Sequence, residues 1–349
     1  MRLKDLNEYP QPAVYAQGER LAGMNDQAQT LFAAMKPGDA LPEVLCALDG
    51  EEHWEGTVTL EGRMYRVAAV REGEETLYLF QPQEQQALSE AQLDGALYQV
   101  RTLMGQFRRE LGPYVAGAQT QFAPGDMEDF SRSYYRMLRL MDHLDLLRDA
   151  AAGQLRTDKQ QMDLGDLCAQ AAVECSGLLR ELGVAVDYEG LPAPVFISGD
   201  EHLLRSAILE LISNCARRRR EGGRVSLRLS SKSGWARICV TDDGPAATKR
   251  ERLTLSNRGT MPLIPVANAG AGLGLSVAET VLRLHGGALL TGADGEAPRV
   301  YLMLPIDQSR GHNLALRSPR AERNLGMNPY LIALSDVLPG RIIREDWKD

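Results

Sequence analysis

The spacing of apolar residues changes along the chain, and each change predicts a different kind of element. Over roughly the first eighty residues, short apolar pieces are broken by turn residues: Ala13–Ala16, Glu19–Gly23, Gly56–Leu60, Met64–Val70 and Thr76–Phe80. Pieces of this kind predict strands. Between the second and third lies Asn25–Met35, whose residues favour helix, so residues 1–85 are expected to form a small α+β unit. The period then becomes helical. Leu97, Val100, Met104, Phe107 and Leu111 recur at steps of three and four, as in a coiled-coil seam. After a break at Pro124-Gly125, with Asp126 as the expected N-cap, Phe130, Tyr134, Met137, Met141, Leu144 and Leu147 form a second stripe. Two antiparallel helices are predicted over residues 86–153. Alone, such a hairpin leaves its apolar stripes half exposed, so a homodimer that completes a four-helix bundle is expected.

From Met162 the pattern predicts one α/β unit. Helix is expected over Leu164–Leu182, strands over Ala185–Tyr188 and Pro194–Ile197, and a long helix over Asp200–Arg220. Strands at Val225–Leu229 and Ala236–Val240, a glycine-rich stretch opening a helix through His285, and a strand at Val300–Leu304 complete a sheet with helices on one face. From Asp307 onward only Tyr330–Leu334 has an apolar pattern.

Composition narrows the function. The chain has 349 residues, 44% hydrophobic and 25% charged, with a formal net charge of −8. An acidic balance argues against binding nucleic acid through phosphate contacts. No apolar run reaches the roughly 18 residues of a membrane span, and the first residues lack a secretory pattern, so a cytoplasmic protein is expected. The five cysteines contain no C-x-x-C pair and the five histidines no H-E-x-x-H pattern, so neither a zinc site nor a disulfide framework is expected.

Candidate chemistry is confined to the α/β unit. In Glu210-Leu-Ile-Ser-Asn214-Cys-Ala-Arg217, residues four apart share a helix face, so Glu210 and Asn214 project together. Alone, that pair also reads as a solvated helix face. Asp242-Asp-Gly244 is an acidic turn after an apolar strand; its carboxylate suits an exocyclic amine such as adenine's, though Asp-Gly turns are common. Gly270-Ala-Gly272-Leu273-Gly274 opens a helix and offers backbone N–H groups to phosphate. His285-Gly-Gly287 closes that helix and reads most simply as a C-cap.

Taken in order, these features resemble the N, G1 and G2 boxes of the ATP-binding domain shared by sensor histidine kinases and gyrase B subunits. The resemblance spans about residues 86–306. The first unit loosely resembles a PAS sensory domain. The implied architecture is multidomain α+β: a PAS-like sensory domain (1–85), a helical dimerisation bundle (86–153), a histidine-kinase-type α/β-sandwich ATPase domain (160–308) and a C-terminal extension of unassigned role (309–349).

By this resemblance Asn214 would hold Mg²⁺, Asp242 would bind the adenine of ATP and Gly244 would lie along the ring. Gly270, Gly272 and Gly274, with Leu273, would line the phosphates, and Arg217 takes the place of a phosphate-contacting base. Glu210 stands where gyrase-like ATPases place the carboxylate that positions water, and is the candidate catalytic residue. Ala246 replaces a glycine of the G1 box. A larger departure lies in the first bundle helix: the family's acceptor histidine falls at Arg108 or Arg109, and a guanidinium cannot act as nucleophile. His143 is the one histidine in residues 86–153, at an ordinary polar position, and is expected to be structural or on the surface. The resemblance therefore implies a kinase-like protein acting on a response regulator, with phosphotransfer left open. The alternatives are a non-catalytic ATP-binding switch, scaffold or phosphatase, or a serine kinase of the anti-sigma type.

Overall fold

The computed structural model describes residues 6–46, 52–60, 63–83, 90–115, 124–218, 222–244, 273–294, 297–307 and 328–345. The N-terminal unit contains β1 (Ala13–Gln17), β2 (Arg20–Met24), α1 (Asp26–Leu31), α2 (Glu43–Cys46), β3 (His53–Leu60), β4 (Arg63–Glu72) and β5 (Glu75–Gln83). The predicted strands are present. The predicted helix is shorter than expected, because the backbone leaves helical geometry at Phe32 (φ −116°, ψ 49°). Asn25 is that cap: its buried side-chain oxygen accepts from the Ala28 N–H at 2.9 Å and from the Ala13 N–H at 3.0 Å.

Two long helices follow, α3 (Glu90–Val115) and α4 (Pro124–Ala151). They pack together through the Phe107 and Phe130 rings, 5.2 Å apart, and a bond from Ser133 Oγ to Glu110 Oε1 at 3.0 Å. Helix α4 starts at Pro124, so Asp126 lies in its first turn and is not the cap. Proline tolerates the first helical position because its missing N–H would have no partner there. Leu97, Tyr98, Met104 and Met141 are each more than half exposed on this pair.

The α/β unit comprises β6 (Gln160–Asp163), α5 (Leu164–Leu179), β7 (Ala185–Glu189), β8 (Phe196–Gly199) and α6 (Glu201–Arg218). It continues through β9 (Arg224–Lys232), β10 (Trp235–Asp242), α7 (Leu273–Leu284), β11 (Ala288–Asp294) and β12 (Ala297–Pro305). Helix α6 begins one residue after Asp200, whose side chain accepts from the His202 N–H at 3.1 Å as an N-cap. Two short helices, α8 (Pro329–Leu334) and α9 (Gly340–Glu345), end the described chain, and α8 contains the apolar run foreseen at Tyr330–Leu334.

Strand β11 went unforeseen, and it decides the architecture. It pairs with β12 on one side and with β3 of the N-terminal unit on the other, placing Leu290 opposite Gly56. A single ten-stranded sheet results, in the order β2-β1-β5-β4-β3-β11-β12-β10-β9-β7. A side chain added at Gly56 would meet the backbone of Leu289 and Leu290, so glycine is what allows the close approach. The expectation of a sheet covered on one face needs a correction here. Leu289, Leu302 and Leu304 enter the core beneath α5, α6 and α7, whereas Ala288, Leu290, Tyr301 and Met303 enter the N-terminal core. Strand side chains alternate between faces, and both faces of β11 and β12 are buried.

Candidate functional site

The last two turns of α6 gather the separate sequence motifs. Leu204, Ile208, Leu211 and Ile212 anchor the helix in the core, which fixes the direction of Glu210 and Asn214. A side chain added at Gly274, in the first turn of α7, would strike the Glu210 carboxylate, so the glycine backs directly onto it. Leu273 beside it is fully buried. Asp242, at the end of β10, accepts from the Gly244 N–H at 2.9 Å, and its carboxylate lies against the Cys215 thiol. Burial first, and then Asp242, push that thiol well above its usual range. Gly244 packs onto the Arg218 carbonyl, leaving no room for a side chain. Gly270, Gly272 and Ala246 lie outside the described residues.

Glu210 and Asn214 sit one turn apart, but their surroundings differ. The Asn214 side chain is partly exposed, and its oxygen accepts from Arg217 Nη2 at 3.1 Å. Glu210 is 2% exposed and gripped by α4. Its Oε1 accepts from Arg139 Nε at 3.1 Å and its Oε2 from Arg139 Nη2 at 2.6 Å. His143 Nε2 lies 2.8 Å from Oε1. Because an ionised carboxylate can only accept, that nitrogen carries a proton. Burial alone would raise the Glu210 carboxyl, but Arg139 and then His143 outweigh it and hold the group well below the usual carboxylate range. Every lone pair the grip uses is lost to base chemistry in this arrangement. His143 is buried and structural, so the surface alternative is excluded.

The C-terminal segment completes the charged cluster. Asp336, just after α8, accepts from Arg139 Nη1 at 2.9 Å and pairs with Arg136 Nε at 3.2 Å and Arg217 Nη1 at 3.9 Å. Arg136 also donates to the carbonyls of Ser335 and Asp336, each at 3.3 Å. Sequence reasoning missed Arg136, Arg139 and Asp336. A signal was present in the helical spacing of Arg136, Arg139 and His143, which puts three basic side chains on one face of α4 beside the apolar stripe. Their partner Asp336 lies nearly two hundred residues further on, and no local pattern announces it.

His285 does more than cap α7. The Asp200 N–H donates to its Nε2 at 2.9 Å, so its Nδ1 must carry the proton donated to the Val281 carbonyl at 2.7 Å. The ring thereby ties the end of α7 to the start of α6. Burial pulls its pKa below the usual histidine value.

Residues 199–308 match the family described as histidine kinase-, DNA gyrase B- and HSP90-like ATPase. Over 158 residues the chain is 30% identical to the adaptive-response sensory kinase SasA of Prochlorococcus marinus strain MIT 9313, covering 44% of this chain and 42% of SasA. Over 233 residues it is 22% identical to the sensor protein kinase PmrB of Pseudomonas aeruginosa, covering 66% of this chain and 48% of PmrB. Among solved structures, the Acinetobacter baumannii histidine kinase AdeS aligns with 60% of this chain and 98% of its own length, at 16% identity and a TM-score of 0.49. The matches thus span less than half the length of these two curated relatives. The chain resembles sensor histidine kinases and carries, over residues 199–308, an ATP-binding domain of their type. Among the described residues, no helix is long and apolar enough to cross a membrane.

Proposed function

We propose that this chain is an atypical two-component sensor kinase that binds Mg-ATP at the end of α6 and acts on a response regulator. The observation that carries the reading is the convergence of three motifs distant in sequence: Gly274 on Glu210, Asp242 on Cys215 and Gly244 on Arg218. In this reading Asp242 accepts the adenine amine, Gly244 lies along the ring, Arg217 contacts phosphate, and Gly270, Gly272, Leu273 and Gly274 line the polyphosphate. Asn214 holds Mg²⁺ through its side-chain oxygen. A Mg²⁺ ion held by one side-chain oxygen would take its other ligands from phosphate and water. The bound nucleotide would supply a transferable phosphoryl group.

Residues 1–85 serve as a PAS-like sensory domain, residues 86–153 as the dimerisation bundle, residues 160–308 as the ATPase domain and residues 309–349 as an extension. The exposed Leu97, Met104 and Met141 support pairing with a second copy, since a bundle stripe of this kind is covered in a four-helix arrangement. A cytoplasmic location and no nucleic-acid partner complete the proposal.

Arginine at the family's acceptor position favours a second form of the same reading, a conformational switch or phosphatase that binds ATP without labelling itself. Glu210 can order an attacking water only after Arg139 and His143 release it. Purified protein incubated with γ-labelled Mg-ATP separates the forms, with Asn214→Ala as control. We expect nucleotide binding that depends on Asn214, with no covalent label. Acid-labile label lost in the variant would establish an autokinase, and absence of Mg-ATP binding would overturn the reading.

A further inference from the structure

The C-terminal segment reaches back across the molecule to place one carboxylate among three arginines. Arg136 and Arg139 come from α4 and Arg217 from α6, and among the described residues their acidic partners are Asp336 and Glu210. Arg217 joins this cluster to the nucleotide-site residue Asn214, because one of its terminal nitrogens reaches Asn214 and the other faces Asp336. Arg139 joins it to Gly274 through Glu210. Planar guanidinium groups converging on one point suit a tetrahedral phosphate at least as well as a carboxylate, because each phosphate oxygen can accept from a different fork. The charge count agrees: without Asp336, three guanidinium groups would share one carboxylate.

We propose that Asp336 is a built-in stand-in for the terminal phosphate of a nucleotide, occupying an anion site made by Arg136, Arg139 and Arg217, and that an adenosine polyphosphate competes with it. The inference rests on the nucleotide reading given above and adds two residues of α4 and a competitor from the chain itself. Binding of the polyphosphate displaces the segment from Pro329 to Glu345. Because α8 packs on both α4 and α6, and α9 packs on α4, the displacement removes a contact between the bundle and the ATPase domain. Adenosine, which lacks phosphate, has no reason to disturb it.

Two measurements test this. The first is titration of wild type and Asp336→Asn with ATP and with adenosine. We expect the variant to bind ATP about tenfold more tightly, a typical coupling between sites, with adenosine affinity unchanged. The second uses the unaltered chain and needs no variant to fold: hydrogen exchange across 329–345, with ATP, inorganic triphosphate or adenosine present. Exchange should rise with ATP and triphosphate and stay unchanged with adenosine. If ATP binds yet exchange in 329–345 does not change, or Asp336→Asn leaves the ATP-to-adenosine preference unaltered, the stand-in is overturned while the nucleotide reading survives. If neither adenosine nor ATP binds either protein, the nucleotide reading itself fails.

Discussion

The β3–β11 seam and the α4–α6 seam each join parts of the chain remote in sequence, the first with backbone hydrogen bonds over buried apolar side chains, the second with ion pairs. At the first, Leu290 lies over Gly56 and the Thr291 hydroxyl donates to the Glu55 carbonyl at 3.1 Å. At the second, Glu210 and Asp336 are held almost wholly by arginine and histidine side chains. A ladder of backbone bonds offers no alternative partner and reads as a fixed joint. Ion pairs can be exchanged for another anion at modest net cost, because a buried pair gives up much of its attraction to desolvation. The chain therefore couples a permanent connection to a replaceable one, and the replaceable one lies at the candidate nucleotide site.

The contrast can be broken at either seam. The largest effect is expected from Glu210→Ala, which leaves the buried Arg139 without its main counter-charge and should cost about 4 kcal/mol in a denaturant titration. A loss below about 1 kcal/mol would mean that the ion pairs merely decorate the seam. Gly56→Val should cost about 2 kcal/mol by forcing β3 away from β11, and should separate unfolding of the N-terminal unit from that of the rest. A single unchanged transition would contradict the shared sheet.

A smaller effect concerns His285, whose folded pKa lies below its unfolded value of about 6.5. Below that pH the unfolded chain takes up more protons than the folded one, so this contribution is complete above about pH 6.5 and is lost as pH falls toward the folded pKa. The stability difference between wild type and His285→Gln should shrink across that window, and a difference constant with pH would remove the tie to Asp200. The smallest effect is expected at the exposed pair of Arg341 with Glu181, 2.9 Å apart. Arg341→Ala should change stability by no more than about 0.5 kcal/mol, so a larger loss would mean that exposed pairs hold part of the C-terminal segment in place.

Much of the architecture was legible in local sequence. The strands of the N-terminal unit, the two long helices and most of the α/β unit follow from apolar spacing and turn residues. Strand β11 was missed because Ala288-Leu-Leu-Thr-Gly-Ala-Asp buries both faces and so lacks the alternation that marks a half-buried strand. Its pairing with β3 depends on Gly56, whose role is visible only once Leu290 lies against it. At the candidate site, Asn214, Asp242, Gly244 and Gly274 could be singled out because each stands in a short motif. The grip on Glu210 was not, because α4 supplies Arg139 and His143 from some seventy residues upstream, and Asp336 comes from a segment with almost no pattern. The basic face of α4 is periodic, but nothing in its spacing names Glu210 and Asp336 as the partners it meets in the fold.

Strands β11 and β12 belong to two cores at once, and this limits how the chain can be recombined. An N-terminal unit cut away at the start of α3 would expose Leu290, Tyr301 and Met303, together with the unpaired edge of β11. Chimeras that graft a different N-terminal unit onto residues 199–308 would inherit a bare apolar face and an open strand. The two halves therefore constrain each other, and substitutions within residues 1–85 disturb the shared sheet less than replacement of the whole unit would.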